Sequence, residues 1–237
     1  DKFLEDAGEK APVTLEKLGT VISLSDRLSS CFWGCPGGDH TVEYLTGRSC
    51  SLSRAAMRLT RFGYYDEALS LIRSLGEIAN LLSLFQFDSS AMDDWKVSGY
   101  QRRKKEYSPV RVRLKLEASD QLLPIKRERY SKLCEIATHV TPETRPQKFN
   151  PAGRPISGAA FQDAGYFVCL NELSTAAAQS AALAVLLINP SREVSTQIGQ
   201  ASVDLLQSIG AFNILELETM LEEIASEASK AHKNSEG

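Results

Sequence analysis

The sequence predicts an all-α protein, on three observations. Apolar residues recur at helical spacing through Val13–Ser30, Tyr65–Phe87 and Gly165–Leu187, most regularly at Ala68, Leu69, Ile72, Leu75, Ile78, Ala79, Leu82 and Phe85. Helix punctuation frames these runs, with Gly63 as a C′ glycine, Asp88-Ser-Ser as a stop and fresh N-cap, and Asn189-Pro190 as a terminator. One stretch, Ser108–Leu116, alternates like a half-buried strand, yet no neighbouring segment alternates to pair with it, and its opening Ser-Pro suits the N-cap and N1 positions of a helix.

Taken in order, a first amphipathic helix covers Val13–Ser30 with Thr14 as its N-cap. Cys31–His40 holds three glycines and a proline and reads as an irregular connection. A second helix runs from about Thr41, or from Ser51, to Phe62, and Tyr65–Phe87 is the central element. Ala91–Tyr107 reads as one helix carrying Trp95 and the basic run Arg102–Lys105, followed by the helix after Ser108. Pro124 opens a helix to about His139 with Ile125, Tyr130, Leu133, Ile136 and Ala137 turned inward. Thr141–Gly165 has four prolines and no periodic pattern, as a long loop would. Two long helices close the chain, Gly165–Leu187 and about Ser191–Lys233, with a break expected near Gly210.

Composition narrows the function classes. With 237 residues, 43% hydrophobic and 24% charged, the chain has the balance of an ordinary soluble globular protein, and it is read as one all-α domain over 1–237. A formal charge of −3 argues against a surface that wraps nucleic acid throughout. The charge is unevenly spread, however. Residues 101–132 carry eleven Lys or Arg against four acids, a net of +7, so the rest of the chain carries −10. Arg102, Arg103, Lys104, Lys105, Arg127, Arg129 and Lys132 are therefore candidates for phosphate or an acidic partner, against the plainer reading of solvated helix faces. Five scattered cysteines do not resemble a secreted disulfide framework, and the N-terminus lacks the basic start and apolar core of a signal peptide, so a cytoplasmic location is expected. The first residue is not Met, so some N-terminal sequence is taken to be missing. The longest apolar stretch, Thr175–Ile188, is shorter than the roughly 20 residues that span a bilayer, and no membrane association is expected.

Two charges interrupt the apolar helix at Arg73 and Glu77, four residues apart and so on one face. The other motif of similar character is Tyr130-Ser-Lys-Leu-Cys-Glu-Ile-Ala-Thr-His139-Val-Thr141. Ala68–Glu77 matches the pattern A-x-x-L-x-R-S-L-x-E, and Tyr130, Leu133, His139 and Thr141 match Y-x-x-L-x-x-x-x-x-H-x-T, with a Pro/Gly-rich stretch and a long apolar helix following from Pro151 to Ile188. In this order of features, over about residues 40–190, the chain resembles the uncharacterised bacterial branch of the HEPN-like all-α superfamily. The resemblance implies a bundle of four to five long helices and frequent homodimerisation; the helices outside it are read as additional terminal helices, with a C-terminal helical extension over about 191–233. It also implies a place in bacterial stress or phage defence, in a superfamily that includes metal-independent RNases. Their signature is an Arg followed after four to six residues by a His. This chain departs from it, since Lys132, Leu133 and Cys134 occupy the required positions before His139 and the nearest arginine is Arg129.

Two readings of the motif residues follow. Metal-independent RNA cleavage needs a general base, a general acid and cations for the phosphorane charge, roles that His139, Arg73 and Glu77 would share. Alternatively, Arg73 and Glu77 form a buried ion pair tied to the Tyr130 hydroxyl or to His139, holding two helices in register. The preferred expectation is a non-catalytic or divergent module that binds RNA, a nucleotide or a protein partner, with a structural dimeric helical protein as a further alternative. No cofactor is expected, because a usable phosphate cradle, nucleophile elbow or carboxylate-rich metal motif is missing; Gly153-Arg-Pro-Ile-Ser-Gly158 lacks the lysine of a P-loop. Cys31, Cys35, His40 and Cys50 are weak candidates for a metal, since paired C-x-x-C knuckles are lacking and Phe32-Trp33 reads as a core anchor; Cys134 and Cys169 read as core residues.

Overall fold

The computed structural model describes residues 10–35, 38–139 and 159–209. Among these residues it is all-helical, with α1 Lys10–Ser29, α2 Thr41–Arg61, α3 Tyr65–Phe87, α4 Ser89–Val97, α5 Tyr100–Glu106, α6 Pro109–Ala118, α7 Arg127–Leu133, α8 Asp163–Ile188 and α9 Arg192–Ser208. A π-helical turn, Cys134–Thr138, prolongs α7. The expected loop over 141–165 and the expected continuation of the last helix beyond 209 lie mostly or wholly outside the described residues.

Five long helices, α1, α2, α3, α8 and α9, make the bundle, and α8 touches the other four. Its core faces are Tyr166, Leu173, Ala178 and Ala184 from α8, and Leu69, Ile72, Leu75, Leu82 and Phe85 from α3, all essentially without solvent exposure. Each such Leu, Ile or Phe contributes about 1.5–3 kcal/mol on burial, which outweighs helix propensity in fixing these elements. The helix expected over Gly165–Leu187 is α8; by length and composition alone α3 and α8 are each long and apolar enough to cross a membrane, and both are mostly buried inside the bundle.

The boundaries of α3 and of the α2 end follow the sequence closely. Gly63 sits at φ 81, with its N–H on Thr60 O at 3.1 Å and the Tyr64 N–H on Leu59 O at 2.9 Å, the two bonds of a Schellman turn. Asn189, at φ 49, ends α8 before Pro190. Ser108-Pro109 opens α6 as a helix, resolving the alternating stretch.

Four local expectations are corrected. Thr14 is not an N-cap but is buried inside α1, which begins at Lys10 because Pro12 is tolerated in a first turn and Ala11 is buried in the core. The expected helix Ala91–Tyr107 breaks at Ser98-Gly99, where Ser98 is extended. Asp94 spans the break, accepting from the Tyr107 hydroxyl at 2.7 Å and pairing with Arg102 at 2.9 Å. Pro124 does not open a helix, because residues 122–125 are held as irregular backbone by α3, as described below. Of the Phe32-Trp33 anchor only Trp33 packs against the core; Phe32 is exposed beneath the Arg27 guanidinium.

Candidate functional site

A polar seam runs down one face of α3. Ser70, Arg73, Glu77, Asn80 and Ser83 recur at intervals of three and four residues and so line up on the helix. Each meets the stretch that runs from the end of α6 through the π turn. Ser83 Oγ donates to Leu122 O at 2.6 Å. Asn80 donates to Ile125 O at 3.2 Å and accepts from the Ile125 N–H at 2.9 Å. Ser70 Oγ donates to Ala137 O, in the π turn, at 2.8 Å. Among these groups the Ile125 carbonyl is one that a helix from Pro124 would use itself, to accept from the N–H four residues on. Replacing Asn80 with Ala strands the buried N–H and C=O of Ile125, and a loss of about 2 kcal/mol is expected in urea unfolding.

In the middle of the seam stand the two charges. Arg73 Nη1 lies 2.9 Å from Glu77 Oε1 and donates to Tyr130 Oη at 2.9 Å, while the Tyr130 hydroxyl donates to Glu77 Oε1 at 3.0 Å. Arg73 Nη1 also reaches Cys134 Sγ at 3.8 Å. Burial, then the Glu77 carboxylate, pushes the Tyr130 phenol well above its ordinary range, so it keeps its proton and serves Glu77 as a donor. The Tyr130 ring faces two cations, Arg73 at 5.6 Å and the buried Arg113 at 5.8 Å. The Arg73 and Glu77 side chains are 19% and 24% exposed, so the triangle is partly open to solvent.

His139 takes no part in this triangle. It caps the π turn, where its N–H bonds to Cys134 O at 2.9 Å, and its exposed side chain makes no hydrogen bond or ion pair among the described residues. The sequence groups Arg73 and Glu77 with His139 or with the Tyr130 hydroxyl; the structure brings Tyr130 to the pair and not His139, and it adds Ser70, Asn80 and Ser83, which the sequence reading lacks. Their three-to-four spacing on an otherwise apolar helix was the available signal. Thr141, the last residue of the second motif, lies outside the described residues.

The basic candidates divide. Arg129 pairs with Glu172 of α8, Lys132 with Glu135 at 3.3 Å, and Arg102 with Asp94. Arg103, Lys104, Lys105 and Arg127 engage no carboxylate among the described residues. Three of these four stand on α5, a helix that buries no residue at all.

A third cluster forms between α1 and α2. The donor atoms of Cys31, Cys35 and His40 lie within 4.8 Å of one another. His40 Nδ1 is 3.8 Å from Cys31 Sγ and 3.4 Å from Glu43 Oε1, and Nε2 is 3.6 Å from Cys35 Sγ. Cys50, grouped with them in the sequence, is apart and buried in α2 against Ile22 O at 3.8 Å, where burial pushes its thiol up to about 11. Cys134 and Cys169 are buried as expected, and none of the five cysteines is in a disulfide.

Comparison of the chain with protein-family models, with curated proteins and with solved structures finds no match.

Proposed function

We propose that this chain is a non-catalytic HEPN-like helical module that binds single-stranded RNA on the surface formed by α5 and the start of α6. The observation that carries the reading is the division of the charges. Arg73 and Glu77 satisfy one another and Tyr130, with His139 outside the cluster, whereas Arg103, Lys104, Lys105 and Arg111 have no acidic partner among the described residues and stand on and beside a helix that buries nothing.

Cations in the last turn of α5 also complement its dipole, so charge alone is a weak argument. The apolar side chains around them strengthen it. Tyr100 is 70% exposed and shares a helix face with Arg103 and Lys104, three and four residues on, and Val97, three residues before it in the chain, is 84% exposed. An aromatic ring among unpaired cations suits a single strand, whose bases stack while its phosphates meet Lys and Arg.

Fluorescence anisotropy with a labelled single-stranded RNA tests the reading. Binding is expected to weaken linearly in log Kd against log salt, and replacing Lys104 and Lys105 together by Ala should lower that slope by about 1.4, the counterion release of two phosphate contacts on a single strand. The RNA should remain intact in EDTA. Binding that ignores salt, or a slope unchanged in the double variant, sinks the proposal. RNA degradation abolished by His139→Ala without loss of melting temperature would instead establish the RNase.

A further inference from the structure

We infer that Cys31, Cys35 and His40 are ligands of a borderline-soft divalent metal, zinc in class, that clasps the connection between α1 and α2. Thiolate and imidazole are the donors such a cation takes, and Cys31 and Cys35, separated by three residues, fall within the ligand spacing of zinc sites.

The geometry carries the inference further than the spacing. With Zn–S of about 2.3 Å and Zn–N of about 2.0–2.1 Å, a tetrahedron sets its donor atoms about 3.5–3.8 Å apart. The Cys35 Sγ to His40 Nε2 separation is 3.6 Å, Cys31 Sγ is 3.8 Å from Nδ1 of the same ring, and one donor atom from each of the three residues lies within 4.8 Å of the others, so a rotation of the Cys31 side chain toward Nε2 closes the set. With Nε2 on the metal, Nδ1–H is left to donate to Glu43 Oε1 at 3.4 Å, the carboxylate–histidine relation that fixes the imidazole of metal sites. Glu43 is a carboxylate only 6% exposed, and His40 Nδ1 is 3.4 Å from it. It is a positioning residue.

The connecting loop is shaped and anchored for this convergence. Cys31 is held at φ 54, a left-handed conformation uncommon for a residue with a side chain, and Gly34 and Gly38 are at φ 114 and 81. Next to His40, Asp39 accepts from the Thr41 N–H at 2.8 Å and pairs with Lys96 of α4, which fixes the backbone from which the imidazole projects. Three protein donors leave a fourth tetrahedral position for water or an incoming group.

Titration of the reduced full chain with Co(II), followed by displacement with Zn(II), decides the matter. One equivalent of cobalt should give thiolate-to-metal charge-transfer absorption that zinc abolishes. The absorption should be lost in Cys31→Ser, Cys35→Ser and His40→Ala and kept in Cys50→Ser, each checked for helical content by circular dichroism. Glu43→Gln should keep the spectrum while weakening affinity about 10–100-fold. In the unaltered chain, bound zinc should shield Cys31 and Cys35, but no other cysteine, from alkylation read by mass spectrometry, which holds even if a variant fails to fold. Absence of the charge-transfer band, its persistence without Cys31 or Cys35, equal loss in Cys50→Ser, or a Cys31–Cys35 disulfide formed in place of metal binding each overturns the inference.

Discussion

Replacing Glu77 with Ala should cost about 3 kcal/mol of stability. Removal of the carboxylate leaves the Arg73 guanidinium half-buried beside Tyr130 and takes the acceptor from the Tyr130 hydroxyl. Breaking a fully buried pair costs about 3–5 kcal/mol, and the partial exposure of both side chains puts the value at the lower end. Arg73→Ala should cost about as much by stranding Glu77, whereas Tyr130→Phe, which keeps the pair and the ring, should cost about 1–2 kcal/mol. The pair of changes Arg73→Met and Glu77→Leu strands no charge and should recover most of the loss, since apolar replacement of a buried pair is often neutral. Urea unfolding of the four variants measures this. RNA affinity should be unchanged in every variant that stays folded. A Glu77→Ala protein that melts with the parent but loses an activity on RNA would show that the triangle serves chemistry and not architecture.

The architectural role explains which parts of the molecule could be read before the structure. Strong periodicity and end signals gave α3 at its observed limits, because a helix that buries most of one face must repeat every 3.6 residues whatever it touches. The segment Tyr130–Thr141 is legible as the partner of Arg73 and Glu77 because charges in an apolar run demand partners and few polar side chains are on offer, but whether Tyr130 or His139 meets them depends on the π turn that carries His139 away. Ser70, Asn80 and Ser83 share the spacing of the pair but are weaker signals, because small polar residues cost little in a helix and their partners are backbone atoms 39–67 residues away in sequence. For the same reason the irregular stretch after Pro124 is not legible as such: local propensity favours a helix, and Asn80 opposes it by taking the Ile125 carbonyl that the helix would use. The Ser98-Gly99 break had a local signal in its glycine, yet only the reach of Asp94 to Arg102 and Tyr107 makes the bend a fixed one. The cysteines show the opposite limit. Spacing alone grouped four candidates, and the turn of the loop gathers three of them while the core takes Cys50.

The seam binds one side of α3; the other join that holds the bundle's start together is at Tyr65, and Gly165→Ala should damage it by about 3 kcal/mol. Tyr65 begins α3, is 3% exposed, and its hydroxyl accepts the backbone N–H of Gln162, the N-cap residue of α8, at 3.0 Å. Its carbonyl also takes the Cys169 thiol at 3.6 Å. Gly165 lies flat against the ring, and a Cβ there would meet Tyr65 Cδ2 at 2.5 Å, Cε2 at 2.8 Å and Cγ at 2.9 Å. A buried ring bonded at its far end cannot swing away, so the clash must be relieved by displacing α8 from α3 along their shared core. Ordinary overpacking costs about 1–3 kcal/mol, and a contact this short against a pinned aromatic belongs at the top of that range or above it. For a chain of this size that is a fall of roughly 6–12 °C in melting temperature. Adding Tyr65→Leu to Gly165→Ala should recover part of the loss by making room, although it also frees the Gln162 N–H. Calorimetry on the single and double variants tests the fit. A Gly165→Ala protein as stable as the parent would mean that α8 starts against α3 more loosely than the Tyr65 contacts require.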